Sequence, residues 1–165
     1  MSIVQIPQYQ KNPTLRRPAI PVTDINDPKV QQAIQDLRDT LLVSPDGIGL
    51  AAPQIGYDWS IFAILQPQYL EDFPEDKSIL KPDDVLVFIN PEITKYSAKK
   101  NILEEGCLSF PQEFYYIKRP TKITLKAWDE HGQKIKIQAK GFLARVFQHE
   151  IDHLNKILIV DKKEQ

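Results

Sequence analysis

The stretch GFLARVFQHEIDHL, residues 141–154, decides the architecture of this 165-residue chain. His149 and His153 are four residues apart, so on a helix they lie on one face and can bind one metal ion, at about 2.0–2.1 Å from each nitrogen. Glu150 between them can take a proton from metal-bound water without being a ligand. The pattern therefore predicts a metal-binding helix, packed on the core through apolar residues at helical spacing: Phe142, Leu143, Val146, Phe147 and Leu154.

A catalytic metal site needs a third protein ligand and an open position for water. Only 12 residues follow His153, and they hold neither the Gly nor the third His of an HExxHxxGxxH extension. The third ligand is therefore expected upstream. Cys107, in EEGCLSFP, is the best candidate because a thiolate is a strong ligand for borderline metals. It is the single cysteine of the chain, which excludes an internal disulfide, and alone it would more often be a buried apolar residue.

GIGLAAPQIG, residues 47–56, is a third stretch suited to chemistry. Its small residues let another backbone approach closely, and the Gln54 side chain offers an NH₂ donor to a developing oxyanion. Without the other two motifs, a tight turn beneath a packed helix would be the simpler interpretation.

The hydrophobic pattern around these motifs predicts one further helix and two strands. An amphipathic helix is expected to begin after Asp27, an N-cap residue followed by Pro, and to end near Pro45. Two apolar runs, residues 60–65 and 85–90, are predicted strands. The acidic stretch between them, residues 66–84, is interpreted as a surface loop.

TKITLKAW and KIKIQAK alternate apolar and polar residues with period two, which predicts a β-hairpin with one buried face. The order of helix, strands and helix favours an α+β fold. We expect antiparallel sheets packed around the C-terminal metal-binding HExxH helix, with a long N-terminal helix, in a single domain over residues 1–165.

Composition narrows the class of protein. Apolar residues make up 42% of the chain and charged residues 26%, which is ordinary for a folded globular protein. The net charge of -1, with Lys and Arg mostly as singles or pairs, argues against a nucleic-acid partner. No signal-peptide pattern opens the chain and no apolar run approaches the roughly 20 residues of a membrane span. A cytoplasmic protein without membrane contact is expected.

Taken together, the motifs GIGLAAPQ, EGCLS and HEIDH resemble the GxGxAAxQ, EGCLS and HExDH signatures of the peptide deformylases, in the family's order. The resemblance spans residues 47–153 and implies a hydrolase that removes the N-formyl group from the N-terminal methionine of nascent polypeptides, releasing formate. It implies Cys107, His149 and His153 as metal ligands and Glu150 as general base and later general acid.

The same resemblance assigns roles around the substrate. Gln54 and the backbone N–H of Leu108 would polarise the formyl oxygen. The peptide would pair as an added strand with the backbone near Ile48 and Gly49. Gly106 and part of the helical face 142–146 would line the pocket for the methionine side chain.

Asp152, within the HExDH signature, would lie next to the metal ligands without binding the metal itself, with Arg119 as its partner. Fe²⁺ is the metal that the resemblance implies in the cell, although Zn²⁺, Ni²⁺ or Co²⁺ also suits one thiolate and two imidazoles. The implied partners are N-formylmethionyl peptides and nascent chains at the ribosome, and a monomer is expected.

Three alternatives stay open. The chain is either a deformylase or another metal-dependent amidohydrolase acting on a different N-acyl group, because the motifs fix the metal site better than the side-chain pocket. A non-catalytic protein with a structural zinc is disfavoured by Glu150 and Gln54, neither of which is needed to hold a metal. A general peptidase is disfavoured because its site must admit chain on both sides of the cleaved bond.

Overall fold

The computed structural model describes residues 3–164. Four α-helices, seven β-strands and several short 3₁₀ turns follow one another along these residues. The helices are α1 (Pro28–Val43), α2 (Pro67–Glu71), α3 (Gly141–Leu154) and α4 (Ile159–Lys162). The strands are β1 (Gly49–Ala51), β2 (Ile61–Leu65), β3 (Val85–Tyr96), β4 (Lys100–Cys107), β5 (Phe110–Pro120), β6 (Lys122–Trp128) and β7 (Lys134–Lys140).

Five strands form one antiparallel sheet in the order β1-β2-β3-β6-β7, and β4 pairs with β5 in a second sheet. Helix α3 packs on one face of the larger sheet through a cluster of aromatic rings. Phe62 and Phe88 stack at 4.9 Å between centroids, and Phe147 of α3 meets the Phe88 ring edge-on at 5.0 Å. The predicted α+β class with antiparallel sheets is confirmed, and the contact fixes α3 relative to the strands.

Helix α1 covers the other face of this sheet at β1–β3. Its N-cap, Asp27, accepts a hydrogen bond from the Lys29 N–H at 2.8 Å, and Pro28 occupies the first turn, where no N–H is needed. The buried side chains of α1 follow helical spacing and meet the buried side chains of β2 and β3. The helix ends at Val43, two residues before Pro45.

The segment 66–84 is more structured than the surface loop predicted from its charge. It contains α2 and two 3₁₀ turns, and Leu80 is buried against the α1 core. The Lys77 ammonium binds the carbonyl oxygens of Leu41, Ser44 and Gly47 at 2.7–2.8 Å, in the last turn of α1 and the loop that follows it. Burial lowers the pKa of Lys77 to about 8. The segment therefore holds the chain in place just before β1.

The β4–β5 hairpin was not predicted. Its strands lack a clean alternation because a two-stranded sheet exposes much of both faces, as at Phe114 and Tyr116. This hairpin carries Cys107 at the end of β4, beside α3. By contrast, the predicted β6–β7 hairpin forms as expected, with His131 exposed in its turn. No helix within residues 3–164 is long and apolar enough to cross a bilayer.

Candidate metal centre and active site

Three potential metal ligands converge where the end of β4 meets α3. The ligand atoms of Cys107, His149 and His153 all lie within 4.8 Å of one another. The Cys107 Sγ is 3.3 Å from the His153 Nε2. His153 is buried, and the other two residues are partly exposed to the neighbouring cleft. Helix α3 supplies two donors from one face, and the second sheet supplies the third from more than 40 residues away.

The donor set fits a divalent metal ion. The His149 Nδ1 is 3.0 Å from the Glu105 Oε2, which leaves the Nε2 for a metal, an arrangement typical of histidine ligands. Burial holds the pKa of His153 well below its usual range, which favours the neutral imidazole that a metal requires. Among residues 3–164, the buried Nδ1 of His153 has no hydrogen-bond partner. One thiolate and two imidazoles suit zinc, iron, nickel or cobalt.

Glu105 organises the groups behind the ligands, and the sequence analysis missed it. Its carboxylate accepts two hydrogen bonds from Arg119, at 2.6 and 2.9 Å, and one from Arg145 at 2.6 Å, besides its contact with His149. Burial alone would raise the pKa of Glu105, but Arg119 and His149 hold it far below its usual range. The Arg119 guanidinium also donates to the Asp152 Oδ2 at 2.7 Å. This buried network fixes the His149 ring from behind.

One signal in the sequence points to Glu105. It precedes Cys107 by two residues, so on a strand both side chains lie on the same face. The adjacent Glu104 points the other way and is exposed. Once Cys107 is known to end a strand, an acidic residue two positions before it is thus a candidate partner for a histidine ligand.

The Glu150 carboxylate lies buried beside the ligands. Its Oε2 has no hydrogen-bond partner within residues 3–164, and burial raises the pKa of Glu150 to about 7. A bound cation would lower this pKa again, because positive charge favours the carboxylate. A Cβ at Gly49 would approach the Glu150 Oε1 to 2.5 Å. Position 49 therefore accommodates this carboxylate only because it is glycine.

The Gln54 side chain is held in a defined orientation. Its Oε1 accepts from the Ala51 N–H at 2.8 Å, which fixes the Nε2 on the opposite side. That Nε2 donates to the Ser109 Oγ at 3.2 Å and lies 3.6 Å from the Cys107 Sγ. The amide donor is thus directed toward the ligand cluster, and Ser109 is a contact that the sequence did not reveal.

A cavity of about 440 Å³ opens beside the cluster. Apolar side chains of α3, Phe142 and Val146, line it together with Leu108. Arg145, from the same helical face, also lines the cavity, and its guanidinium binds Glu105. Further lining comes from residues named in the sequence analysis: Ile48, Gly49, Gln54, Gly106, Cys107, His149 and Glu150.

Strand β1 forms the edge of the larger sheet beside this cavity. The Ile48 carbonyl accepts a hydrogen bond from the Leu65 N–H at 2.9 Å. Because main-chain groups alternate in direction along an antiparallel strand, the N–H and C=O of Gly49 point away from β2. The edge therefore offers an extended peptide one donor and one acceptor at Gly49.

A model of the polypeptide deformylase family matches residues 3–165 of the chain. The chain belongs to the polypeptide deformylase family. A peptide deformylase of Halothermothrix orenii is 40% identical over 162 residues, covering 98% of this chain and 94% of the relative. The crystal structure of the Thermotoga maritima peptide deformylase has a TM-score of 0.82 and 34% identity, with each chain covered completely. A Synechococcus elongatus peptide deformylase solved in complex with actinonin has a TM-score of 0.81 and 34% identity, over 98% of this chain and 79% of that one.

These matches confirm the resemblance read from the three motifs and the expectation of a deformylase-family enzyme. Within this deformylase fold, one cavity is lined by Cys107, His149, Glu150 and Gln54. The third predicted ligand, His153, is buried next to Cys107. The predicted pair of Asp152 and Arg119 lies behind the ligands, bonded to each other. The hydrogen bond from Arg145 to Glu105, which completes this network, joins residues 40 positions apart and had no signal in the sequence.

Proposed function

We propose that this single domain, residues 1–165, is a metal-dependent hydrolase that removes the N-formyl group from the N-terminal methionine of nascent polypeptides in the cytoplasm. One observation carries the proposal: the buried Glu150 carboxylate, whose Oε2 has no hydrogen-bond partner among residues 3–164, adjoins three metal-ligand atoms within 4.8 Å of one another. A structural metal site would need the three donors but not the carboxylate.

Cys107, His149 and His153 would hold the ion, with Fe²⁺ as the proposed metal in the cell and Zn²⁺, Ni²⁺ or Co²⁺ as substitutes. When bound there, a divalent ion lowers the pKa of a water molecule toward about 7 and polarises a carbonyl oxygen. The Glu105 hydrogen bond keeps the His149 ring oriented for this role.

The remaining chemistry belongs to side chains of the protein. Glu150 accepts a proton from the attacking water, whose oxygen adds to the formyl carbon. The Gln54 amide and the Leu108 N–H donate hydrogen bonds to the formyl oxygen as it gains negative charge. Glu150 then gives the proton to the amide nitrogen, the carbon–nitrogen bond breaks, and formate and the free amino terminus leave.

The cleft supports an extended peptide as the substrate. Gly49 presents its N–H and C=O at the edge of β1, so a peptide can add there as a further strand. The methionine side chain would enter the cavity beside Gly106, Phe142 and Val146. We propose nascent chains at the ribosome as the natural substrates and a monomer as the working form.

The test is formate release from a formyl-Met tripeptide by protein purified without oxygen and loaded with Fe²⁺ or Ni²⁺. Glu150→Gln should abolish turnover while keeping the metal, and Gln54→Ala should lower kcat by about 10²–10³-fold. Acetyl-Met tripeptide is the matched substrate control. Release of acetate but not formate would assign a different N-acyl group, and a folded, metal-loaded protein inactive on both would favour a binding protein.

A further inference from the structure

A second surface of the molecule has a strongly uneven charge. In β6, Ile123, Leu125 and Ala127 point toward α3, so the alternate residues of the strand point to the opposite face of the sheet. Helix α1 covers that face at β1–β3. Over β6 and β7 the same face carries exposed polar side chains.

Six lysines occupy this face. All are exposed: Lys95, Lys122, Lys126, Lys134, Lys136 and Lys140. Within the part of the chain that the structure describes, none of these ammonium groups lies within 4.0 Å of a carboxylate oxygen. Glu92, opposite Lys126, is an acidic residue on the same face. The net charge of -1 therefore conceals a local excess of positive charge, which we call the lysine face.

The pairing of β6 with β7 places lysines directly opposite one another. Lys122 pairs with Lys140, and Lys126 pairs with Lys136. Like charges at directly opposed positions destabilise a sheet. Lysines on the edge strand β7 protect against pairing with another chain, but this protection does not require lysines opposite them on the interior strand β6. The opposed pairs therefore indicate a function beyond edge protection.

The lysine face continues into a groove of about 400 Å³ at one end of the sheet. Lys95, Lys122 and Lys140 line this groove together with the hydroxyl groups of Ser97 and Thr124. Ammonium and hydroxyl groups at a groove are the donors that bind phosphate oxygens in nucleic-acid interfaces.

We propose that the lysine face binds the phosphodiester backbone of RNA, without reading base sequence. A row of lysines about 7 Å apart on β7, with a second row on β6, matches a repeating polyanion better than a single small anion. The choice of RNA rests on the proposed function, because a nascent polypeptide is made on an RNA-containing particle. The proposal departs from the expectation drawn from net charge, which does not detect charges segregated on one face.

The test is fluorescence anisotropy with a labelled 20-base-pair RNA duplex in 50–200 mM KCl. If four phosphates are contacted, binding should weaken by about 10²-fold between 50 and 200 mM KCl. At physiological salt the Kd should lie in the micromolar range or be weaker. The triple variant Lys122→Gln, Lys136→Gln, Lys140→Gln should bind at least about tenfold more weakly, with a salt dependence shallower by about one per lysine. Its Tm should equal or exceed that of the parent because both opposed pairs are removed.

The control variant Lys11→Gln, Lys29→Gln, Lys81→Gln makes the same change of net charge at exposed lysines elsewhere. An equal loss of RNA binding in this control would overturn the proposal, as would salt-independent or absent binding by the parent protein. Stronger, lysine-face-dependent binding to anionic lipid vesicles than to RNA would overturn it in favour of a membrane surface. Tripeptide deformylation, measured separately, should be unchanged in both variants, so failure of the proposed enzymatic function would be recognised independently.

Discussion

Replacing Gly49 with alanine tests whether the Glu150 carboxylate must occupy the position that the structure gives it. The new Cβ would lie 2.5 Å from the Glu150 Oε1, 3.0 Å from its Cδ and 3.2 Å from its Cγ. Ordinary contact distances require the carboxylate to retreat by roughly 1 Å. Because it ends a flexible side chain, the retreat costs little stability, but the proton acceptor leaves its place in the cavity.

A displacement of about 1 Å can reduce the rate by about 10²-fold, or about 2.7 kcal/mol in the activation barrier. We therefore expect Gly49→Ala to lower kcat for formyl-Met tripeptide by about this factor, with metal content and Tm close to those of the parent. Formate release, metal analysis and thermal unfolding on one preparation measure all three quantities.

Gly106→Ala is the matched control. Its Cβ would meet the Phe114 ring at 2.9 Å, but that ring is 62% exposed and can move into solvent. Because Gly106 lines the proposed methionine pocket, the added methyl group should change KM while kcat stays close to that of the parent. Parental turnover in a folded, metal-loaded Gly49→Ala sample would refute the placement of Glu150 as the proton acceptor.

Three further predictions concern the surroundings of the site. Glu105→Gln leaves two buried guanidinium groups short of a partner and should cost about 3–5 kcal/mol, lowering Tm by about 10 °C, whereas Glu104→Gln at an exposed position should not. Lys77→Met removes an ammonium bound to three carbonyls ahead of β1, so KM should rise more than kcat falls in peptide titrations. Burial and a hydrogen bond to Asp36 raise the pKa of Tyr57 to about 12. The contribution of Tyr57 to the free energy of unfolding is therefore complete below about pH 10 and is lost as the pH rises toward 12. In urea unfolding, Tyr57→Phe should lack this loss of stability at alkaline pH.

The sequence predicted those parts of the molecule whose signal is local. The α1 cap, the alternation of β6 and β7 and the stripe along α3 each depend on neighbouring residues, and the corresponding elements form. The two histidine ligands followed from their spacing on a helix. Cys107 was the best upstream candidate, and the resemblance to family motifs, which carry long-range information in short stretches, implied the same set.

The parts that escaped prediction depend on contacts between distant residues. The Arg145 bond to Glu105 joins positions 40 residues apart, and the Gln54 bond to Ser109 joins positions 55 apart. Neither pair has a periodicity that a window of sequence would contain. Lys77 escaped for a similar reason, because its acidic surroundings resemble a solvated loop although its ammonium is directed inward at backbone carbonyls.

The chain has one cysteine, and it lies among the candidate ligands, so the reactivity of its thiol reports whether the metal is bound. Cys107 is the sole source of thiol in a folded sample and lies in the candidate metal centre, so no other position contributes to alkylation. Metal-loaded molecules should resist a thiol reagent and metal-free molecules should react. A single colorimetric titration would then give the loaded fraction of any preparation, whichever metal is present and whichever substrate is finally assigned.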